Sequence, residues 1–162
     1  MRGNEHDQQD ARWMAEAVDL AVKNVTAGGG PFGALIVRDG VALATGVNAV
    51  TTTNDPTAHA EVVAIRTACQ TIGDFRLTGC ILVTSCEPCP LCLAAALWAR
   101  VDRVIYGADR HDAARGGFDD LAFYELFATP REDWPIVITS VAVPAPAAPF
   151  TAWQAKPDRV DY

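Results

Sequence analysis

The sequence predicts an α/β fold, a three-layer sandwich in which helices flank a central five-stranded mixed β-sheet. Three observations predict this fold. Apolar residues first recur at helical spacing, two apolar runs joined by a turn dipeptide follow, and short β-type runs then alternate with helical segments. Strands that alternate with helices form a sheet whose faces the helices cover.

The first helix and a hairpin are predicted from periodicity and turn chemistry. Apolar residues recur at helical spacing over residues 11–27, and Gly28-Gly29-Gly30 ends that helix. The apolar runs 34–38 and 41–47 flank Asp39-Gly40, a dipeptide that favours the tight turn of a β-hairpin. We therefore expect an antiparallel strand pair directly after the first helix.

The remaining elements alternate between helix and strand. Residues 51–57 are rich in Thr, Asn, Asp and Pro and predict a loop, with Thr57 as the N-cap of a helix that runs to about residue 71. The pattern then predicts strand 80–84, helix 88–99, strand 103–107, helix 119–127 and a last strand 136–141. These three strands and the hairpin make up the five-stranded sheet.

The C-terminal segment differs in composition from the rest. A chain of 162 residues is expected to form a single domain, with a core over residues 1–143 and an arm over residues 144–162. Residues 143–149 alternate Pro with Ala and favour extended polyproline geometry over helix. A stiff spacer ahead of a short terminal segment favours exchange between protomers, so we expect a homodimer with exchanged arms.

Charge argues for a small substrate rather than a polyanion. The formal net charge is −7 and the isoelectric point is near 4.8. The 13 basic residues are scattered, and acidic residues interleave with the pairs Arg100–Arg103 and Arg110–Arg115. Proteins that grip nucleic acid neutralise phosphates with clustered Lys and Arg. We therefore expect no nucleic-acid partner.

Cysteine usage and hydropathy predict a reducing, cytoplasmic location. Cys86, Cys89 and Cys92 lie within seven residues, a spacing that suits a metal or thiol site better than a disulfide framework. The N-terminus is polar, with no signal-peptide pattern, and no apolar run approaches the length of a membrane span. Cys69 and Cys80 fall in a predicted helix and strand and are expected to pack in the core.

Two short motifs, His59-Ala60-Glu61 and Pro88-Cys89-Pro90-Leu91-Cys92, predict a catalytic zinc site. Such sites use three protein ligands and leave the fourth tetrahedral position for water. Cys89 and Cys92 lie three residues apart at the start of a predicted helix, so both thiolates point the same way, and His59 supplies the third ligand. We expect one Zn²⁺ per chain.

Glu61 and Cys86 are not expected to bind the metal. Glu61 lies two residues beyond His59 and is placed beside the water as a proton shuttle, which takes a proton from water, passes it to a ring nitrogen and assists the departure of ammonia. Cys86 is separated from Cys89 by a predicted turn and is expected to be a supporting thiol. Alone, His59 could be a loop histidine, and the two cysteines a structural half-site or redox pair.

The combination H-x-E … P-C-x-x-C is a signature of zinc-dependent deaminases. Residues 54–62 and 84–92 resemble the cytidine deaminase-like superfamily. Residues 29–34 and 98–100, the segment Gly117-Phe118-Asp119-Asp120 and the terminal Tyr162 resemble, more narrowly, the small bacterial guanine deaminases. Residues 1–143 would then be a zinc-dependent deaminase core.

The resemblance implies hydrolytic conversion of guanine to xanthine and ammonia. It implies that Asn48 hydrogen-bonds the substrate, Phe32 flanks its ring and Ala60 contacts it. Asp120 would contact the base or share in proton transfer, and Tyr162 would cap the partner's site in an arm-exchanged dimer. Without the resemblance, Asn48 could be a turn residue, Phe32 core packing and Asp120 part of a helix start.

The hydrogen-bonding groups of guanine agree with the narrower resemblance to guanine deaminases. Guanine presents N–H donors along one edge, and an ionised carboxylate such as Asp120 only accepts hydrogen bonds. Adenine and cytosine offer a ring-nitrogen acceptor on the corresponding edge, which a carboxylate repels. The alternative substrates are guanosine, another aminopurine and cytosine. The wobble adenosine of tRNA is disfavoured by the acidic net charge of the chain. A zinc domain without catalytic activity is a further alternative, but it would not need Glu61.

Overall fold

The computed structural model describes residues 2–162, with side chains from residue 6 onward. The chain divides into two units, Met1–Glu125 and Leu126–Tyr162. The division of core and arm between residues 143 and 144 stays a prediction. Among the described residues, no helix has both the length and the apolar character needed to cross a bilayer.

The first unit contains all the strands that the structure has in residues 2–162. Its elements are α1 (Arg2–Thr26), β1 (Gly33–Arg38), β2 (Val41–Val47), α2 (Val50–Thr53), α3 (Ala60–Ile72), β3 (Cys80–Cys86), α4 (Pro90–Trp98), β4 (Arg103–Ala108) and α5 (Arg110–Arg115). Helix α6 (Asp120–Phe127) runs across the division. The second unit adds a 3₁₀ turn (Arg131–Asp133) and α7 (Ala148–Ala155).

The sheet is mixed, as predicted, but it has four strands rather than five. The strand order is β2-β1-β3-β4; β1 pairs antiparallel with β2 and β3, and β3 pairs parallel with β4. The fifth strand predicted over residues 136–141 is wrong, because a strand needs a neighbouring backbone and none in residues 2–162 pairs with this segment. Its apolar side chains are exposed, Val137 by 94%.

The predicted hairpin is confirmed. Asp39 and Gly40 have φ values of 51° and 73°, and two consecutive residues with positive φ form the type I′ turn that matches the twist of paired strands. The register shifts between Ile36 and Val37, which marks an irregularity of the bulge type in the pair.

Helices cover both faces of the sheet, which confirms the layered arrangement. On one face, Leu35, Val37 and Val83 pack with Ala17 of α1. On the other face, the core contains buried residues of β1, β3, α3 and α4, namely Ala34, Ile36, Leu82, Ala60, Ala64, Ala68 and Ala96. Cys80 belongs to this second core and Cys69 packs against it, as predicted for both thiols.

Strand β2 approaches α3 so closely that only glycine fits at residue 46. A Cβ at Gly46 would lie 2.1 Å from the Ala60 carbonyl oxygen and 2.5 Å from the Ala64 backbone nitrogen. This contact fixes the first turn of α3 against the sheet.

The N-cap predicted for α3 was wrong by two residues. Thr57 donates both its backbone N–H and its hydroxyl to the Asp55 carboxylate, at 2.8 and 2.7 Å, and so belongs to a turn ahead of the helix. His59 is the N-cap of α3 instead, and Cys89 is the N-cap of α4, with Pro90 in its first turn. Two motif residues therefore lie at helix N-termini.

Several helical segments differ from the sequence prediction. Helix α1 begins at residue 2 rather than 11, and α2 lies where a loop was expected. Helix α5 was not predicted; it begins at Arg110, and the side chain of its N-cap, Asp109, forms a reciprocal capping box with Asp112. Helix α7 includes Pro149, because proline is tolerated in the first turn of a helix.

Candidate active site

Three side chains form a compact donor group at the N-termini of α3 and α4. His59 Nδ1 lies 3.5 Å from Cys89 Sγ and 3.4 Å from Cys92 Sγ, and the two sulfurs are 3.7 Å apart. Tetrahedral Zn²⁺ with usual Zn–S and Zn–N bond lengths separates its ligand atoms by about 3.5–3.8 Å. The donor set therefore fits one zinc ion in both geometry and chemistry.

The hydrogen bonds within the donor group shift the pKa values of its two thiols in opposite directions. The hydrogen bond with Cys92, together with those from His59 and a backbone N–H, lowers the pKa of Cys89 to about 4, despite its burial. The pKa of Cys92 is raised, chiefly by its hydrogen bond with Cys89 and then by its burial. The pKa of His59 is raised chiefly by its hydrogen bond with Cys89. A metal that binds both thiolates must displace the remaining thiol proton.

Glu61 lies next to these donors without belonging to them. Its side chain is 4% exposed. Thr84 Oγ1 donates to Glu61 Oε1 at 3.1 Å, and Cys92 Sγ lies 3.3 Å from Glu61 Oε2. Burial raises the pKa of Glu61 above its usual range. A buried carboxyl with a raised pKa can both accept and return a proton.

A cavity of about 390 Å³ opens onto this group, within the size range of small-molecule sites. Its lining residues are Gly29, Gly30, Pro31, Phe32, Asn48, Val50, Thr51, His59, Glu61, Glu87, Cys89, Phe118 and Asp120. Phe32, Asn48 and Asp120, predicted from distant parts of the sequence, thus line one cavity with Glu61.

The remaining predicted substrate contacts are Ala60 and Tyr162. Ala60 is fully buried, and its side chain belongs to the core beneath α3. Tyr162 is in the second unit, where its ring meets that of Trp153 edge-to-face at 6.3 Å.

Asp120 is half-buried at the start of α6. Burial raises the pKa of its carboxyl, and the nearby Cys89 charge raises it further. Two residues earlier, the Phe118 ring packs edge-to-face on Phe32, with ring centroids 4.8 Å apart. The neighbouring Asp119 is exposed.

Residues 7–108 match the family described as the cytidine and deoxycytidylate deaminase zinc-binding region. The chain belongs to this deaminase family. Zn²⁺ is the metal of the family, and His59, Cys89 and Cys92 are the residues that would hold it.

Sequence and structure relatives include enzymes of two kinds. Guanine deaminase of Bacillus subtilis (strain 168) is 50% identical over 151 residues, which cover 93% of this chain and 97% of the relative. The X-ray structure of guanine deaminase from Bacillus subtilis has a TM-score of 0.90 at 49% identity, covering 94% of this chain and 98% of that one. A tRNA-specific adenosine deaminase of Buchnera aphidicola is 34% identical over 73% of this chain and 78% of the relative.

The role of Asn24, whose side chain supports two residues of the cavity wall, was not predicted from the sequence. Asn24 Nδ2 donates to the carbonyl oxygens of Gly30 and Asn48, at 2.8 Å each. A Cβ at Gly30 would lie 2.9 Å from the Asn48 side chain, so glycine is needed there. The sequence signal for this role was a polar residue, Asn24, near the end of a predicted amphipathic helix that three glycines follow.

Two polar side chains, Thr84 of β3 and Glu87 of the loop after it, also escaped assignment, whereas Cys86 had been predicted to be a supporting thiol outside the donor group. Thr84 is fully buried in an otherwise apolar strand and holds Glu61. Glu87 accepts from the Arg110 backbone N–H and Nε, at 3.1 and 3.0 Å, which lowers its pKa. Cys86 Sγ lies 3.6 Å from the Asp109 carbonyl oxygen and is not part of the donor group, and burial raises its pKa to about 12.

Proposed function

We propose that this chain is a guanine deaminase, a hydrolase of cyclic-amidine C–N bonds that converts guanine and water to xanthine and ammonia. The observation that carries the proposal is the 50% identity to the Bacillus subtilis guanine deaminase across 97% of that protein. A relationship that spans nearly the whole of both chains includes the cavity walls as well as the metal motifs.

The protein groups around the cavity supply binding and proton transfer. His59, Cys89 and Cys92 would hold Zn²⁺, which would supply an activated water molecule by lowering the pKa of that water toward about 7. Glu61 accepts a proton as the water oxygen bonds to the ring carbon that carries the 2-amine. It passes this proton to the adjacent ring nitrogen and then helps protonate the departing amine, so that ammonia leaves and a carbonyl remains.

Thr84 holds Glu61 for this task. Its hydroxyl donates to one carboxyl oxygen, and burial keeps the pKa of Glu61 raised, so the group takes up and releases a proton readily.

Asp120 is proposed to select guanine. It lines the cavity that Glu61 also lines, and its carboxylate accepts hydrogen bonds from the N–H groups on one edge of guanine. A buried carboxylate facing the ring-nitrogen acceptor of adenine or cytosine would stay unpaired, which opposes binding. Asp120 is also proposed to share in proton transfer to the leaving amine.

Replacement of Asp120 by Asn is expected to lower kcat/KM for guanine by about 10- to 100-fold, the usual worth of a hydrogen bond to a charged group. Zinc content should stay unchanged. Asp119→Asn is the matched control, because it makes the same change at an exposed neighbour. If the two substitutions had equal effects on steady-state guanine turnover, the proposed role of Asp120 in substrate recognition would be contradicted.

Asn48, Phe32 and Ala60 are proposed to complete the base pocket. Asn48 Oδ1 accepts from the Val50 backbone N–H at 3.3 Å, so its Nδ2 group offers donors to an acceptor on the purine. The Phe32 ring, held edge-to-face by Phe118, offers a flat apolar wall for the ring. The Ala60 side chain is buried in the core, so its proposed contact with the base is made by the backbone at the first turn of α3.

We also propose a homodimer that exchanges arms over residues 144–162, with Tyr162 capping the partner's cavity. The support is an apolar run over residues 136–141 that pairs with no strand in residues 2–162. Ile136, Val137 and Val141 are exposed by 61%, 94% and 74%. Apolar side chains that lie close together in the sequence and are all exposed to solvent are typical of a surface that associates with another protein. The Pro-rich residues 143–149 that follow favour a stiff connection.

Removal of Tyr162 is expected to impair guanine turnover about tenfold or more while one zinc per chain is retained, because the cap excludes water from the reacting base. Steady-state kinetics and metal analysis of the truncated protein test this. Full activity of the truncated enzyme would leave the arm a structural role only, and a one-chain mass by light scattering at micromolar concentration would contradict the exchanged dimer.

Ammonia release from metal-replete protein tests the substrate assignment. Guanine, guanosine, adenine, cytosine and cytidine are offered separately, with a tRNA anticodon stem-loop as the nucleic-acid substrate. Turnover of guanine above all others is expected. Arg110 pairs with Glu87, which lines the cavity, and Arg115 pairs with Asp112, so these basic side chains are already neutralised, which disfavours tRNA. A cytoplasmic location is proposed because both zinc-binding thiols must stay reduced.

A further inference from the structure

Tyr124 links the helix that carries Asp120 to the loop that carries the zinc ligand Cys89. Its hydroxyl donates to the Pro88 carbonyl oxygen at 2.7 Å, across 36 residues of sequence. Pro88 directly precedes Cys89, the N-cap of α4. A short hydrogen bond from a part-buried phenol therefore ties α6 to the metal-binding turn.

The Tyr124 ring is itself held in place. The Arg110 guanidinium carbon lies 3.5 Å from the ring centroid, in a cation–π arrangement. The same guanidinium pairs with the carboxylate of Glu87, which precedes Pro88 and lines the cavity. Tyr124 is thus fixed by its ring on one side and by its hydroxyl on the other.

Asp120 lies between two anchors. Tyr124 is four residues after Asp120 in α6, so the two side chains lie on one face of the helix. Two residues before Asp120, Phe118 packs on Phe32 in the cavity wall. The structure records no hydrogen bond from another side chain to the Asp120 carboxylate within residues 6–162, so its position depends on these flanking contacts.

We propose that Tyr124 is a positioning residue for guanine recognition, which sets the Asp120 carboxylate at the base by anchoring α6 to the Pro88 carbonyl. This inference rests on the proposed function, because it assigns Asp120 to guanine. Tyr124 itself does not touch the substrate; it acts through Asp120.

Tyr124→Phe tests the proposal, since phenylalanine keeps the ring against Arg110 and removes only the hydroxyl. Tyr106→Phe is the matched control, because it removes a phenol hydroxyl from a half-exposed tyrosine of β4 that does not line the cavity. Each substitution is made in the wild-type chain and in the Asp120→Asn variant. kcat/KM for guanine, zinc per chain and the thermal midpoint are measured for all of them.

The expected result is a loss of about 5- to 10-fold in kcat/KM for Tyr124→Phe in the wild-type chain, the worth of one hydrogen bond. In the Asp120→Asn background the same change should alter kcat/KM by less than about twofold, because coupled residues are not additive. Tyr106→Phe should be silent in both backgrounds, and zinc should stay at one per chain.

Three outcomes overturn the proposal: no loss from Tyr124→Phe, an equal loss in both backgrounds, or a loss of bound zinc, which would make Tyr124 a support for the metal loop. Guanine turnover by the wild-type chain distinguishes a failure of the proposed function from a failure of the role proposed for Tyr124. If the wild-type chain does not turn over guanine, the proposed function fails; if it does, only the role of Tyr124 is at stake.

Discussion

Glu61→Gln is expected to lower kcat for guanine by about a thousandfold or more, within the upper range for the loss of a general acid–base group. The amide has nearly the same shape as the carboxyl and still receives the Thr84 hydroxyl, but it cannot carry a proton between water and the base. The three metal donors are unchanged, so one zinc per chain should remain. Steady-state kinetics and metal analysis of the same preparation give both readouts.

Glu16→Gln is the matched control for this substitution. Glu16 is exposed on α1, remote in sequence from both motifs, and its change should leave turnover within about twofold of the wild type. Activity that survives in Glu61→Gln with zinc bound would contradict the proton-shuttle role and leave the carboxyl as a structural partner of Thr84.

Cys92→Ala should abolish stoichiometric zinc binding and with it guanine turnover, by about a thousandfold or more. Loss of one of three protein ligands leaves His59 and Cys89 too few donors for a catalytic zinc site. Cys92 is fully buried, and the small cavity left by its sulfur adds a modest loss of stability. Metal analysis after dialysis, followed by kinetics with added zinc, measures the effect.

Cys86→Ala is the matched control, because it removes a buried thiol that does not bind the metal. Cys86 is also buried and three residues from Cys89, but its sulfur contacts the Asp109 carbonyl oxygen instead of the donor group. This variant should keep one zinc per chain and most of its activity. A variant that lost zinc on removal of Cys86 would contradict the three-ligand assignment.

Local sequence signals predicted the parts of the fold that short segments determine. The Asp39-Gly40 turn needs only two residues with positive φ, and both are present. The two zinc motifs carry their donors at helix starts, so their position was evident before the structure. The N-cap of α3 was misplaced because Asp55 engages Thr57 in a turn, a competition between two plausible hydrogen-bond partners that propensity does not resolve.

Contacts between distant segments were beyond the sequence. Thr84 holds Glu61 across 23 residues, Asn24 holds Asn48 across 24, and Tyr124 reaches Pro88 across 36. Each is a tertiary hydrogen bond whose partner is fixed by packing of the sheet and helices. The fifth strand failed for the same reason: residues 136–141 have β-type composition, but pairing depends on which backbone lies beside them.

A zinc titration of the metal-stripped protein tests the central claim most directly. Xanthine and ammonia are measured together from guanine as zinc is added, with bound zinc determined at each point. The account predicts that both products rise in equal amounts, in proportion to bound zinc, and reach a plateau at one zinc per chain. Full turnover without zinc, or a plateau of bound zinc at one per chain without xanthine, would contradict it.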